Sequence, residues 1–253
     1  MGRRVVALAA ADSRFQIVAA LERPQSPALG EDAGTLAGLT PLSVPVSCTF
    51  PEQTDVVIDF SLPEAVDSIL DRCLEHRAAL VVATTGLNDS QKQCLATAAS
   101  DIPIVWSPSM SLAVNLTMQL AAQATAALHN VPGGADIEII ERHHRFKEDA
   151  PSGTALKFGE LIAQQLHSNT RHVHGREGKT GQRSSNEIGY HAVRCGDNPG
   201  EHTIVFGMLG ETLELRVAAS NRDCYASGAL AAAAWLQNKP PGLYSMFDVL
   251  KRD

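Results

Sequence analysis

Through the first half of the chain, short apolar runs alternate with helix-like stretches, a rhythm that leaves few architectures open. Asp55-Val56-Val57-Ile58-Asp59-Phe60-Ser61, Ala79-Leu80-Val81-Val82-Ala83-Thr84-Thr85-Gly86 and Ile102-Pro103-Ile104-Val105-Trp106 are rich enough in Val, Ile and Leu to be strands buried on both faces. Pro63 to Arg77 and Asp89 to Ser100 read as the intervening helices, the first with Pro near its start, where a missing N–H costs little. The alternation predicts a parallel sheet covered by helices on both faces. Upstream, residues 3–12 read as a helix and Phe15 to Leu21 as a strand ending at Glu22-Arg23-Pro24. The Gly-, Pro- and Ser-rich stretch from Gln25 to about Pro45 reads as loop.

After Ser111 the texture changes. Residues 113–129 read as a long Ala-rich helix, Ala135 to His143 as a strand and Ser152 to Leu166 as a helix. Strand-like runs follow near 171–174, 188–195, 201–209 and 211–219, joined by turns such as Cys195-Gly196-Asp197. This half is expected to be α+β, a mixed and mainly antiparallel sheet with a helical face. A last Ala-rich helix, about Ser227 to Gln237, is expected to pack back on the first domain.

The 253 residues allow one long domain or two compact ones. A net charge of -7 argues against a nucleic-acid or membrane-surface partner. No apolar run is long enough to span a bilayer. Arg3-Arg4 and the apolar residues after them are too short for a signal peptide and meet Asp12-Ser13-Arg14 at once. The five cysteines are widely spaced with no C-x-x-C pair, which predicts reduced, mostly buried thiols in a cytoplasmic protein.

Chemistry concentrates between Glu138 and Ala155. His143 and His144 are imidazoles, a side-chain type that can change charge near neutral pH, beside the cationic Lys147, and Ser152-Gly153-Thr154 opens a helix. Free N–H groups at a helix start bind anions, and Gly153 lets a carboxylate approach the backbone. These parts suit a small anionic substrate that gains or loses a proton. Adjacent residues of a strand point to opposite sides, so both histidines face one ligand only if the strand ends or bends there. Other readings of the same residues are a solvated basic face from Arg142 to Lys147, a plain N-cap by Ser152, and a metal site of Glu141, His143, His144 and Asp149. Against the metal stand the cations Arg142, Arg145 and Lys147 and the lack of an H-x-x-x-H helix. Glu22-Arg23 closes a strand as an acidic residue that binds ribose hydroxyls does, next to an Arg able to meet a 2′-phosphate. Together they suit both NADH and NADPH, or they are a solvated turn. Ligands of parallel sheets bind beyond the strands' carboxyl ends, here Glu22-Arg23, Phe60 to Pro63, Thr84 to Gly86 and Ser107 to Met110.

The run His143-His144-Arg145-Phe146-Lys147-Glu148-Asp149-Ala150-Pro151-Ser152-Gly153-Thr154-Ala155 closely resembles the signature of the 4-hydroxy-tetrahydrodipicolinate reductase (dihydrodipicolinate reductase) family of diaminopimelate and lysine biosynthesis. Glu22-Arg23, Asp59 to Glu64, Thr84-Thr85-Gly86, Arg176 to Gly181, Arg194-Cys195-Gly196-Asp197 and Gly200-Glu201-His202-Thr203 resemble further family segments in the family's order. The resemblance implies a Rossmann-like dinucleotide-binding domain, residues 1–112 and 223–253, and an α+β substrate-binding and oligomerisation domain, residues 113–222. It implies reduction of a cyclic imine dicarboxylate by NADPH or NADH in a homotetramer. His143 is then the proton donor and acceptor and Lys147 a further proton donor. His144, Gly153 and Thr154 bind substrate. Met1, Glu22, Arg23, Ala83, Thr84, Thr85, Ser107, Pro108, Ser109 and Met110 line the cofactor crevice. No metal is implied.

The chain departs from the family pattern at its start. Met1-Gly2-Arg3 resembles the tail of the family's glycine turn, and the strand and glycines before that tail are absent from the sequence. Two expectations follow: a longer native chain whose start lies upstream, or a cofactor-impaired, dicarboxylate-binding paralogue without reductase activity. Ala83 stands where the family tends to carry Gly, and Ser107 to Met110 replace the usual Ala-Ala/Pro-Asn-Phe.

Overall fold

The computed structural model describes residues 1–166 and 169–251, so the last two residues of the expected 223–253 segment lie outside the described residues. The chain divides into two compact units, Met1–Leu112 with Arg222–Asp253, and Ala113–Asn221. The first unit begins with α1 (Gly2–Ala10), β1 (Ala20–Leu21), α2 (Ala33–Leu36), β2 (Val46–Ser47) and β3 (Val56–Asp59). It continues with α3 (Pro63–His76), β4 (Ala79–Val82), α4 (Asp89–Ala98) and β5 (Pro103–Trp106). After α5 (Leu112–Leu128), the second unit holds β6 (Asp136–His143), α6 (Gly153–Leu166), β7 (Arg171–His174), β8 (Glu187–Arg194), β9 (Glu201–Met208) and β10 (Glu211–Ala218). The closing elements α7 (Asp223–Leu236), β11 (Gly242–Tyr244) and α8 (Met246–Leu250) belong to the first unit.

In the first unit a parallel sheet runs in the order β11-β5-β4-β3. Successive side chains of a strand face opposite ways, and β4 uses both faces for burial. Leu80 and Val82 join Ile104 beneath Val66, Leu70 and Cys73 of α3 and Leu95 and Ala98 of α4. Val81 joins Val105 on the other face, under Ala229, Ala232, Ala233 and Leu236 of α7 and Met246 of α8. The alanines let α7 lie close to the sheet. At Gly228 the helix touches the chain that follows β5: an added Cβ would sit 1.7 Å from the Met110 carbonyl oxygen.

Several expectations are corrected here. Of Phe15 to Leu21 only Ala20 and Leu21 form a strand, since the pairing that defines it, with Val46 and Ser47 in a separate two-stranded parallel sheet, extends over just two residues. The expected loop contains α2, whose N-cap Asp32 accepts from the amides of Thr35, Leu42 and Val44. β11 and α8 were not expected. Pro240-Pro241-Gly242 reads as a turn, yet Gly242–Tyr244 adds a short edge to β5, and α8 is closed by a Ser245/Asp248 capping box. Cys73 is buried and Cys224 partly so, but Cys48, Cys94 and Cys195 are exposed.

The second unit holds one sheet, β10-β9-β6-β8-β7. It is mixed, without the expected antiparallel majority: β6–β8 and β8–β7 are parallel, β6–β9 and β9–β10 antiparallel. The reason is connectivity. The chain leaves β6 through α6 before returning as β7 and β8, and crossover connections give parallel neighbours. Ile137 and Ile139 of β6 and Tyr190 of β8 face α6, where Gly159 makes room for the Tyr190 hydroxyl. The opposite face carries Ile140 and Val193, each 38% exposed. Among the described residues no helix is long and apolar enough to cross a membrane.

Candidate active site

In β6 every second residue, ending with His143, is buried, and those between are exposed or half-buried. This period places Glu141 and His143 on the covered face together, 1% and 8% exposed. His143 Nδ1 lies 2.5 Å from Glu141 Oε2. Arg194, at the end of the neighbouring β8, donates from Nη1 and Nη2 to the two carboxylate oxygens, each at 2.7 Å. The Ser152 amide donates to Glu141 Oε1 at 3.0 Å. Burial by itself would push the Glu141 carboxyl up. The bonds from Arg194, His143 and Ser152 outweigh it and hold the group below the usual carboxylate range. His143 is moved the other way from a protonated state. Burial is the largest cause and lowers it, Glu141 works against that, and the charges of Lys147 and Arg194 add to the lowering.

The strand ends at His143, and the chain turns there. The Cys195 amide donates to the His143 carbonyl, the His144 amide to Asn198 and the Arg145 amide to Gly196, so the loop after β6 is tied to the loop after β8. Arg194 Nη2 also donates to the Asp149 carbonyl at 2.7 Å. Ala150-Pro151 is cis. Lys147 Nζ donates to Asp149 Oδ1 at 2.7 Å. His144 is half-buried, and its Nδ1 is a buried atom with no hydrogen-bond partner among the described residues.

α6 starts at Gly153, with the Ser152 hydroxyl accepting from the Ala155 amide at 3.2 Å. The same hydroxyl lies 3.0 Å from His202 Nε2. His202 is buried on β9, its ring edge-on to that of His143 with centroids 5.3 Å apart. Burial, then the charge of His143, brings its pKa down to about 4, so the ring is neutral near pH 7 and shares one hydrogen bond with the Ser152 hydroxyl. Gly153 is exposed with open space where a side chain would project, and Thr154 beside it is half-buried. The structure therefore brings His143, His144, Lys147, Gly153 and Thr154 into one region of the second unit. Glu141, Arg194 and His202 complete it. Glu141 entered the sequence reading only as a metal ligand, although its spacing from His143 in a strand already places the two on one face. Among the described residues no group of three or more His, Cys, Asp and Glu could hold a metal ion.

The residues expected to bind cofactor lie in the first unit, after strands of two sheets and at the start of α1. Ala83, Thr84 and Thr85 follow β4. The Ala83 amide donates to the Asp59 carbonyl and the buried Thr84 hydroxyl to Asp59 Oδ2 at 2.8 Å, while Thr85 is exposed. Ser107 to Met110 follow the adjacent β5. Pro108 is exposed, Ser109 half-buried and Ser107 buried, and the Met110 side chain is packed in the core. Glu22 and Arg23, both exposed, follow β1 in the separate two-stranded sheet, and Met1 is the N-cap of α1.

Residues 1–110 match the family model described as dihydrodipicolinate reductase, N-terminus, and residues 113–250 match dihydrodipicolinate reductase, C-terminus. The chain is 65% identical over 257 residues to the 4-hydroxy-tetrahydrodipicolinate reductase of Rhodopirellula baltica, covering 99% of this chain and 92% of that one. It is 46% identical to the protein of the same name from Pseudoalteromonas atlantica, covering 99% and 94%. Among solved structures, the dipicolinate-bound dihydrodipicolinate reductase from Paenisporosarcina sp. TG-14 matches with a TM-score of 0.76 at 27% identity, covering 99% of this chain and 95% of that one.

Proposed function

The chain belongs to the dihydrodipicolinate reductase family, and we propose from that premise how its residues divide the work. It is a nicotinamide-dependent oxidoreductase that reduces 4-hydroxy-tetrahydrodipicolinate in lysine biosynthesis. In our reading His143 gives and takes the proton, Lys147 is a second proton donor, and His144, Gly153 and Thr154 bind a carboxylate of the substrate. The observation that carries this reading is the buried His143–Glu141 pair at a strand end, beside a helix start left open at Gly153. Hydride addition to a conjugated imine leaves an electron-rich atom that needs a proton, and a positioned acid is worth about 10²–10⁴ in rate. Lys147 shares its ammonium with Asp149, and a substrate carboxylate would compete for it. The unpartnered His144 Nδ1 gives a buried ring a reason to meet a ligand.

The residues present fit a nicotinamide dinucleotide. α1 opens with no side-chain cap and no acidic residue in its first turn, so its first amides suit a phosphate. Glu22 and Arg23 suit the adenosine ribose and its 2′ position, which supports use of both NADH and NADPH. When bound, the cofactor supplies the hydride. The uncovered sheet face with Ile140 and Val193 supports assembly of the second unit into a homotetramer. A small anionic substrate and no nucleic-acid or membrane partner fit a cytoplasmic enzyme.

Calorimetric titration with dipicolinate tests the substrate assignment. A lost bond to a charged group is worth about 1.5–3 kcal/mol, so His144→Gln and Thr154→Val should each weaken binding by roughly ten- to a hundredfold. Unchanged affinity in both variants would remove the carboxylate site from this end of α6.

A further inference from the structure

We infer that Glu141 and Arg194 form a positioning pair that fixes the tautomer of His143, with Nδ1–H given to Glu141 and Nε2 left as the nitrogen that exchanges the proton with substrate. The inference rests on the reading of His143 as the proton donor and goes beyond it by naming what sets the ring. An ionised carboxylate only accepts, so the Nδ1 it faces at 2.5 Å must carry a hydrogen. A carboxylate placed this way on a working imidazole fixes its tautomer and orientation. Glu141 would not hold its place alone. It is 1% exposed, and its charge needs compensation. Arg194 supplies that compensation with two bonds in the planar fork geometry of a guanidinium, and the Ser152 amide supplies a third. By also binding the Asp149 carbonyl, Arg194 ties the loop that bears Lys147 to the carboxylate that orients His143.

Two neighbours reinforce the assignment. Gly200, at φ 147°, faces the other ring nitrogen, and a Cβ there would come within 3.0 Å of Nε2. A glycine thus keeps that side of the ring clear. His202 meets the ring edge-on and stays neutral, its own Nε2 engaged with Ser152, so it adds no cation against a protonated His143. Among the described residues, the charged and titratable groups that act on His143 are Glu141 of its own β6, Arg194 from β8, His202 from β9 and Lys147 from the loop after β6.

The test compares wild type, Glu141→Gln, Glu141→Asp and Arg194→Lys. The readouts are nitrogen-15 NMR of the His143 ring, the pH dependence of kcat, and dipicolinate affinity. In wild type the neutral His143 ring should be the Nδ1–H tautomer. Glu141→Gln should populate the Nε2–H form, shift the limb of the profile that reports His143 to lower pH, and reduce kcat by about 10²-fold or more while dipicolinate affinity changes less than about threefold. Glu141→Asp should restore part of the rate. Arg194→Lys, which keeps the charge but not the fork, should move the same limb and mix the tautomers. An Nε2–H ring in wild type overturns the inference without any variant, which decides the matter even if Glu141→Gln does not fold. Unchanged tautomer and pH profile in a folded Glu141→Gln overturn it too. Absence of substrate-dependent turnover in wild type, with the Nδ1–H ring observed, would count against the functional reading and leave the positioning pair standing.

Discussion

At the scale of single residues, the site is a row of buried polar groups that answer one another. His202 shows the consequence most simply. An unfolded chain protonates this histidine near its ordinary value of 6.5, whereas the folded one resists until about pH 4. Above the upper value both states are neutral and the group is silent. As pH falls from the upper value to the lower, the unfolded state takes up the proton first and stability is lost, by roughly 3 kcal/mol in all. Below the lower value the loss stops growing. Urea unfolding near pH 7 and near pH 5 should show this loss in wild type and a smaller one in His202→Asn, which keeps a partner for Ser152. Equal losses in the two would mean that His202 titrates normally. Lys147→Ala should lower kcat by about 10²–10⁴-fold and leave cofactor affinity unchanged, and a loss confined to KM would reassign Lys147 to binding. His143 and Lys147 stood out in the sequence because two imidazoles beside a cation are an uncommon grouping. Arg194 did not, because it lies 53 residues from Glu141 and reaches it only through the β6–β8 pairing, which sets Arg194 opposite His143.

At the scale of elements, glycine positions record where helices meet sheets. Gly228 of α7 touches the Met110 carbonyl, and backbone cannot step aside as a flexible side chain can. Gly228→Ala should therefore cost about 1–3 kcal/mol from overpacking, read by urea unfolding, despite alanine's better helix propensity. A stabilised variant would mean that α7 is not held at this distance. The central strands were legible because burial on both faces demands unbroken Val, Ile and Leu. β1, α2 and β11 were not. Their few residues are fixed by neighbours, such as the Asp32 carboxylate binding three amides and β5 offering an edge, and such partners leave no local pattern. The mixed character of the second sheet was legible from its Gly-rich turns and strand spacing. Its balance of parallel and antiparallel pairs depends on which strands become neighbours, and alternation along one strand does not reveal that.

At the scale of the whole molecule, the change of texture near Ser111 separates a unit with a parallel, doubly covered sheet from one whose sheet is covered by α6 on one face. The proposed homotetramer makes a demand on the face that carries Ile140 and Val193. If that face holds copies together, wild type should sediment as a tetramer and Val193→Asp, which places a charge among its apolar residues, as smaller species. The same sedimentation in both would place any contacts elsewhere. Whether the proton chemistry of this reductase lies at His143 and Lys147 is decided by following oxidation of NADPH and NADH with and without 4-hydroxy-tetrahydrodipicolinate, in wild type and in His143→Gln. Wild type should show substrate-dependent oxidation, reduced at least about a hundredfold in the variant with dipicolinate binding retained. Cofactor binding without substrate-dependent oxidation in wild type, or full activity in His143→Gln, would contradict it.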